Sequence, residues 1–454
     1  MSLHIKDSNV AKHLLFVLSL LGLILVFFPT ERLTVASLCV CLVFLLLYGF
    51  SYLLTRDLSA PQIVLCVAWF MSLFLTSLDV KYASHISQFN ERLSFELWAL
   101  LLMAISSFYV ASLFAMYPLS RRTDVPLAEI HDCNTLDKIV SVSFLIAFSV
   151  YCYAVLKNGG VPAFSLKVNE DRSTFIPPSL GVFLVLFQLV PVITIIKVIS
   201  HGAAASKKQI CLSLVALVCI LLTTQRVAAI EMILMSIITF VFLWPYADQT
   251  FKERAGRKLI VSLGIGFLAF VWVFVLIGQI RALDFLKLTD IENFALEQFY
   301  IYFGAPAPRN LQMAMDGGIY AGINEHKYGS LFFRPILWFI GFRNEVSIDD
   351  TFRGPNNATA FFNYYLDLGL FGLFLIPALI GGVCGYIYGL YRRTLSLNVA
   401  VVYAVLASCI YFLPLTERFS EPSTLIKLVM FSLVIFVVQR TQIYFFSNKA
   451  TSEV

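Results

Sequence analysis

The sequence predicts an all-α integral membrane protein that crosses a bilayer about twelve times. Two features of composition lead to this prediction: 59% of the 454 residues are hydrophobic and only 13% are charged. A soluble domain carries about 25% charged residues, and its core cannot cover this much apolar surface. The alternating segments of about ten residues that mark a transmembrane β-barrel do not occur. Residues 1–454 are therefore treated as one helical transmembrane domain.

Apolar runs of the length that spans a bilayer as a helix, about 17–25 residues, recur along the chain. They lie at 13–29, 33–54, 60–78, 94–118, 136–156, 179–199, 209–224, 227–245, 259–279, 367–390, 397–414 and 423–439. The runs on either side of Gln225-Arg226 are short, so they are either two spans or one broken hairpin.

Lysine and arginine are concentrated in alternate connections, and basic loops mark the cytoplasmic side of a membrane protein. The clusters are Arg56, Arg121-Arg122, Lys207-Lys208, 252–258 and Arg392-Arg393. This alternation predicts that both termini are cytoplasmic. The longest connection, 281–366, then lies outside, and its many aromatic residues predict short helices in the plane of the membrane interface.

A second set of arginines lies in connections that are predicted to be outside: Arg172, Arg226, Arg281, Arg334, Arg343, Arg353 and Arg418. If they converge, they form a cationic pocket suited to phosphate, because the guanidinium binds oxyanions through two hydrogen bonds. The alternative is that each side chain extends to a lipid headgroup. Arg226 differs from the others because almost no loop separates its two flanking spans, which favours a functional role.

Carboxylates lie close to these arginines in sequence: Glu170, Asp171, Asp349, Asp350, Glu417 and Glu421. Glycosyl or phosphoryl transfer needs a group that accepts the proton of the attacking hydroxyl, and a carboxylate can do so. The alternative is an ion pair with the neighbouring arginine, which we expect for Asp171 with Arg172 and for Glu417 with Arg418. His326 is either a base or a solvated loop residue. The chain contains no dinucleotide, P-loop or zinc-protease motif, so we expect no metal and no cofactor.

Three segments resemble bacterial O-antigen polymerases, the Wzy-type oligosaccharide repeat-unit polymerases. They are 157–164 leading to Arg172, 224–230, and 356–372. The second resembles the family's Gly-(Thr/Ser)-Arg turn, although Thr224 stands where the family often has glycine. The third resembles the family's Tyr-x-(Asp/Asn)-x-Gly-x-x-Gly pattern at the end of the large periplasmic loop, with Gly369 and Gly372 as close-packing positions.

The resemblance implies a GT-C-like membrane glycosyltransferase that joins undecaprenyl-diphosphate-linked oligosaccharide units on the periplasmic face of the bacterial inner membrane. The roles that it implies are Arg172, Arg226 and Arg281 as catalytic stabilisers of the diphosphate, Glu170 or Asp171 as the base, and Arg334, Arg353, Arg418, His326, Asn357 and Thr359 as substrate-binding residues. The implied partners are the lipid-linked oligosaccharide, membrane lipid, a chain-length regulator and a flippase. No nucleic acid is expected.

Two alternatives remain open at this point. An O-antigen ligase shares the topology, but ligases resemble a pattern with a histidine before an asparagine, and this chain has Asn357-Ala358-Thr359 there. A transporter or flippase predicts ionisable residues near the middle of spans. Glu96, Glu231 and Lys427 lie near the predicted ends of spans, so both observations favour the polymerase.

Overall fold

The protein is all-helical in a computed structural model that describes residues 35–55, 57–77, 93–119, 132–164, 174–247, 252, 307–315, 332–333, 337 and 359–452. Within these ranges, six helices are long and apolar enough to cross a membrane, and three shorter apolar helices accompany them. Large apolar side chains such as Phe95, Phe114 and Leu156 remain exposed on the outside of the bundle. Helices that face lipid are expected to have such surfaces, so the predicted class of all-α membrane protein is confirmed.

The described helices are numbered in chain order. They are α1 (Val35–Thr55), α2 (Pro61–Ser77), α3 (Phe95–Met116), α4 (Cys133–Asn158), α5 (Pro178–Leu184), α6 (Leu186–His201), α7 (Lys207–Leu222), α8 (Arg226–Leu243), α9 (Ala307–Met315), α10 (Ala360–Thr394), α11 (Leu397–Phe412) and α12 (Pro422–Ser452).

Most predicted spans coincide with a helix, but some boundaries differ. The runs at 13–29 and 259–279 lie outside the described residues, so the count of twelve spans stays a prediction. The two short runs on either side of Gln225-Arg226 form two helices, α7 and α8. Leu368 and Gly369 interrupt α10 where the predicted span at 367–390 starts, and α10 itself begins earlier, at Ala360, within the predicted loop 281–366. The Thr359 hydroxyl accepts a hydrogen bond from the Phe362 N–H there, which caps the helix at this earlier point.

Helix α10 packs along α3 through glycines on one face. Gly381, Gly385 and Gly389 are spaced four residues apart, so they lie on the same side of the helix. A Cβ atom at Gly381 or Gly385 would overlap the backbone of α3 at Phe108 or Ser112. Small residues at this spacing let two membrane helices approach closely, and this pairing is a central contact of the bundle.

Replacing Gly385 with leucine is therefore expected to destabilise the protein by at least the roughly 1–3 kcal/mol typical of overpacking. The matched control is Gly382→Leu on the same helix, where an added Cβ meets no atom within 4 Å. Thermal unfolding of both purified variants in detergent measures the difference. Equal midpoints for the two variants would contradict the close contact between α3 and α10.

The bundle has two polar ends. We call the end that contains the Thr223–Gln225 connection the turn end. The starts of α8, α10 and α12 meet there, because Lys427 binds Glu231 and the Ala360 N–H donates to the Leu413 carbonyl over 2.9 Å. The alternate direction of successive helices puts the start of α7 and the end of α10 at the opposite end.

A buried carboxylate holds three helices together at the opposite end. Asp57, between α1 and α2, accepts hydrogen bonds from the Tyr388 hydroxyl over 2.8 Å and from the Ser59 N–H over 2.9 Å. The Tyr403 hydroxyl donates to the Ser59 carbonyl, and Arg392 Nη1 lies 3.4 Å from the Thr55 carbonyl. The bonds from Tyr388 and Ser59 satisfy a carboxylate that would otherwise be costly to bury.

Candidate functional site

Four charged residues at the turn end form an ion cluster: Glu231, Lys427, Arg418 and Glu421. Lys427 of α12 donates from Nζ to Glu231 Oε2 of α8, and both side chains are more than nine-tenths buried. Arg418 Nη1 donates to Glu421 Oε2, and Arg418 Nε lies 3.8 Å from Glu231 Oε1. The guanidinium also stands over the Phe412 ring, 5.4 Å from its centre. Two cations therefore share two carboxylates.

The depth of the buried pair follows from the helix geometry. Glu231 and Lys427 are each five residues beyond the first residue of their helix, which is about 8 Å along the axis. The sequence prediction that they lie near the ends of spans is confirmed for these two helices. Both are nevertheless buried, at 5% and 4% exposure.

A third carboxylate, Glu417, is buried beside the cluster in the connection between α11 and α12. Its Oε1 accepts the Ser420 N–H over 2.9 Å. Burial raises the pKa of Glu417 to about 7, and the Tyr364 hydroxyl and the backbone N–H groups of Ser420 and Phe419 partly offset that rise. Within the described part of the chain, Glu417 Oε2 and the Tyr364 hydroxyl have no hydrogen-bond partner of normal geometry. Glu417 thus has the properties of a general base near neutral pH.

The long segment that follows residue 281 contacts the start of α3 and the first part of α10 at two described places. The Phe332 ring packs edge-on against Tyr364, with ring centres 6.0 Å apart, and the Phe332 N–H donates to Asp367 Oδ2 over 2.7 Å. Gln312 of α9 accepts the Ser94 N–H at the start of α3 over 3.0 Å. Phe332 therefore packs against Tyr364, the residue that faces Glu417.

Helix α10 is kinked next to these contacts. Gly369 has a φ of 62°, in the left-handed region that favours glycine, and it separates a first segment containing Tyr364 from the rest of the helix. A Cβ at Gly372 would overlap the Tyr364 carbonyl. The close-packing role that was predicted for Gly372 is confirmed, whereas Gly369 is needed for the kink itself.

The turn before Arg226 has a strained backbone. Thr224 has a φ of 58°, which is rare for a β-branched residue, at the position where the resembling family often has glycine. The Gln225 side chain makes no capping hydrogen bond to α8, whose first N–H groups have no acceptor within the helix. Arg226 is the first residue of α8, and the structure describes its backbone.

Only some of the predicted site residues lie in the described part of the chain. Arg418 lies in the ion cluster, Arg226 starts the helix that contributes Glu231, and Thr359 is buried as the cap of α10. The expected Glu417–Arg418 pair is wrong, because Arg418 pairs with Glu421 and approaches Glu231 instead. The other predicted residues lie outside the described part of the chain: Glu170, Asp171, Arg172, Arg281, His326, Arg334, Arg353 and Asn357.

Sequence reasoning missed the partners that complete the site. Gln188, in the middle of an apolar run, donates from Nε2 to the Ala228 carbonyl over 3.0 Å and lies 3.4 Å from Glu231 Oε2. Tyr364 faces Glu417 from a different helix. The sequence signal that could have found them is a charged or amide side chain inside an apolar run. Such a side chain is costly to place in a membrane helix unless it has a partner. Among the described residues, no group of three or more His, Cys, Asp or Glu side chains offers a metal site.

Comparisons with protein-family models, with curated proteins and with solved structures found no match to this chain. The function therefore has to be inferred from the chemistry at the turn end together with the resemblance of the sequence segments.

Proposed function

We propose that this protein is a membrane glycosyltransferase that polymerises oligosaccharide repeat units carried on undecaprenyl diphosphate. The observation that supports this most directly is the placement of Glu417, a buried carboxylate with a pKa of about 7, next to Arg418 of the ion cluster at one end of an apolar helix bundle. A base and cations at the depth of lipid headgroups are what a glycosyl diphosphate donor requires.

In the proposed reaction, the acceptor is a sugar hydroxyl of one lipid-linked unit. Glu417 takes the proton of that hydroxyl while its oxygen bonds to the anomeric carbon of the donor sugar. The bond between that carbon and the diphosphate oxygen breaks, and the leaving diphosphate keeps the electron pair. Arg418 stabilises the negative charge that develops on the diphosphate, because a guanidinium binds phosphate oxygens in its plane. Arg226 has the same proposed role.

The ion cluster fits this role because the ion pair of Arg418 with Glu421 can be replaced by a pair of Arg418 with phosphate. Glu421 is the more exposed partner of Arg418, with 34% of its side chain accessible, whereas Glu231 is almost fully buried. A phosphate oxygen can replace Glu421 on the guanidinium while Glu231 and Lys427 keep their buried pair. The buried pair then positions Arg418 rather than contacting the substrate. We further propose that the site faces the periplasm of the bacterial inner membrane.

A second function, transport of the lipid-linked sugar, is supported by one observation. Glu231 and Lys427 form an ion pair inside two apolar helices, and ionisable residues inside membrane helices often lie on transport pathways. A ligase that moves a finished chain to another lipid shares the chemistry proposed here. The polymerase, the transporter and the ligase differ in which lipid-linked intermediate accumulates when the protein is inactive.

The test compares Arg418→Ala and Arg226→Ala in cells that lack the wild-type chain. Loss of one preorganised charge contact is expected to reduce polymer formation about 10²–10³-fold, read as loss of the ladder on a polysaccharide gel. Arg418→Lys is expected to recover part of the activity. Arg440→Ala is the control, because Arg440 lies far along α12 from the turn end and its side chain is exposed.

The lipid-linked material that accumulates separates the alternatives. Single repeat units on the outer leaflet support the polymerase. Long lipid-linked polymer indicates a ligase, and single units confined to the inner leaflet indicate a transporter. A wild-type ladder from Arg418→Ala at normal protein level would contradict the role of Arg418 in catalysis.

A further inference from the structure

A separate cavity of about 180 Å³ lies beneath the Thr223–Gln225 connection, between α5, α6, α7 and α8. It is smaller than the roughly 300–1,000 Å³ of sites for drug-sized ligands, so it suits a single ring. It is not part of the Glu417 site, but the two are linked. Gln188 lines the cavity and also lies 3.4 Å from Glu231 of the ion cluster.

The polar groups of this cavity are incompletely bonded. Gln188 is 97% buried, and its Nε2 atom is already used by the Ala228 carbonyl and Glu231. Its Oε1 has no partner among the described residues, although a buried amide oxygen is costly to leave unpaired. Gln225 and Ala228, at the uncapped start of α8, line the same space. The unpaired Gln188 oxygen therefore belongs to the same cavity as the start of α8, whose first backbone N–H groups have no acceptor within the helix.

The chemistry of these groups selects the ligand class. An anion would meet the unpaired Gln188 oxygen and the nearby Glu231 carboxylate, and both would repel it. An apolar group would leave the Gln188 oxygen unsatisfied. A hydroxyl group can donate to Gln188 Oε1 and accept from a backbone N–H, since it is both donor and acceptor. Apolar side chains, including Phe187 and Ile220, supply the walls against which the C–H face of a sugar ring packs.

We propose that this cavity binds one pyranose ring of the oligosaccharide substrate, with a ring hydroxyl donating to Gln188 Oε1. This inference rests on the proposed function for the identity of the substrate. Because the same glutamine contacts Glu231, a bound sugar lies one side chain away from the ion cluster. The cavity would then recognise a sugar of the repeat unit while the Glu417 site performs the transfer.

The test fills the cavity and measures sugar binding directly. At Gly181 an added Cβ lies 3.9 Å from its nearest neighbour, an ordinary contact with Ile176, so Gly181→Leu adds its bulk to the cavity that this residue lines. Gly382→Leu is the matched control, because its Cβ meets no atom within 4 Å. The purified full-length protein in detergent is studied by saturation-transfer NMR with free glucose, galactose, rhamnose and N-acetylglucosamine.

We expect NMR saturation transfer from the protein to at least one sugar in the wild type and in Gly382→Leu. In Gly181→Leu this saturation transfer should be lost. Gln188→Met keeps the side-chain length and removes the hydrogen-bond acceptor, so the affinity for the same sugar should fall roughly tenfold. Thermal unfolding confirms that each variant is folded, and Gly181→Ala replaces Gly181→Leu if the latter is not. No transfer to any of the four sugars in the wild type, or equal transfer in Gly181→Leu and wild type, would overturn the proposal.

The two proposals fail independently. If lipid-linked units and polymer are unchanged when the protein is absent, the proposed polymerase function is wrong, but sugar transfer in the NMR experiment still tests the cavity. If the ladder depends on Arg418 and yet the cavity-filled variant binds sugar as the wild type does, only the cavity assignment is wrong.

Discussion

Replacing Glu417 with glutamine is expected to reduce glycosyl transfer about 10²–10⁴-fold, the usual contribution of a general base. Glutamine keeps the size of the side chain and an oxygen that can accept the Ser420 N–H, which the carboxylate accepts over 2.9 Å. It cannot take a proton from the acceptor hydroxyl. The measurement is the initial rate of polymer formation by purified protein with the lipid-linked repeat unit.

The pH dependence of the wild type provides a second measurement. Burial raises the pKa of Glu417 to about 7, and a base acts only when ionised, so the rate is expected to rise with pH and level off above about 7. The contribution of Glu417 to folding stability changes with pH in the opposite direction to the rate. A carboxyl whose pKa is raised by folding contributes stability below its ordinary pKa, and this contribution is lost as the pH rises through about 7.

The control for this prediction is Glu96→Gln, the same chemical change at an exposed position in the first turn of α3. Its rate and pH profile should match those of the wild type. A Glu417→Gln variant that retains the wild-type rate would exclude Glu417 as the base. The carboxylates predicted from sequence, Glu170 and Asp171, would then be the next residues to test.

Breaking the buried pair between Glu231 and Lys427 is expected to cost about 3–5 kcal/mol of folding stability, because either single change leaves an uncompensated buried charge. Glu231→Gln leaves Lys427 without its carboxylate partner, and Lys427→Met leaves Glu231 with Arg418 Nε 3.8 Å from its Oε1. The double variant removes both charges and should recover most of the loss. Thermal and denaturant unfolding of the three variants in detergent measures the coupling.

The control pair lies in the same cluster but nearer the surface. Glu421 contacts Arg418 and has 34% of its side chain exposed, so Glu421→Gln should change stability by only about 0–1 kcal/mol. If the double variant is as unstable as the sum of the single variants, the two residues do not interact as the structure shows. A double variant that is stable but inactive would separate the positioning of Arg418 from folding.

The helices themselves were largely predictable from the sequence. Long apolar runs can lie in a membrane only as helices, because the backbone must satisfy its own hydrogen bonds there. Most predicted runs match described helices for this reason. Hydropathy does not reveal the short aromatic helix that Thr359 caps, which lies within the predicted loop and is separated from the apolar run by the kink at Gly369.

The sequence by itself determined the class of fold, the helices, and the concentration of charge near their ends. Only the tertiary structure decided which charges meet. Glu231 and Lys427 are 196 positions apart, and the pairing of Arg418 with Glu421 rather than Glu417 depends on how the connection after α11 folds against Tyr364. Such contacts depend on the packing of helices that are distant in sequence, and hydrophobic periodicity carries no information about the partner of a helix.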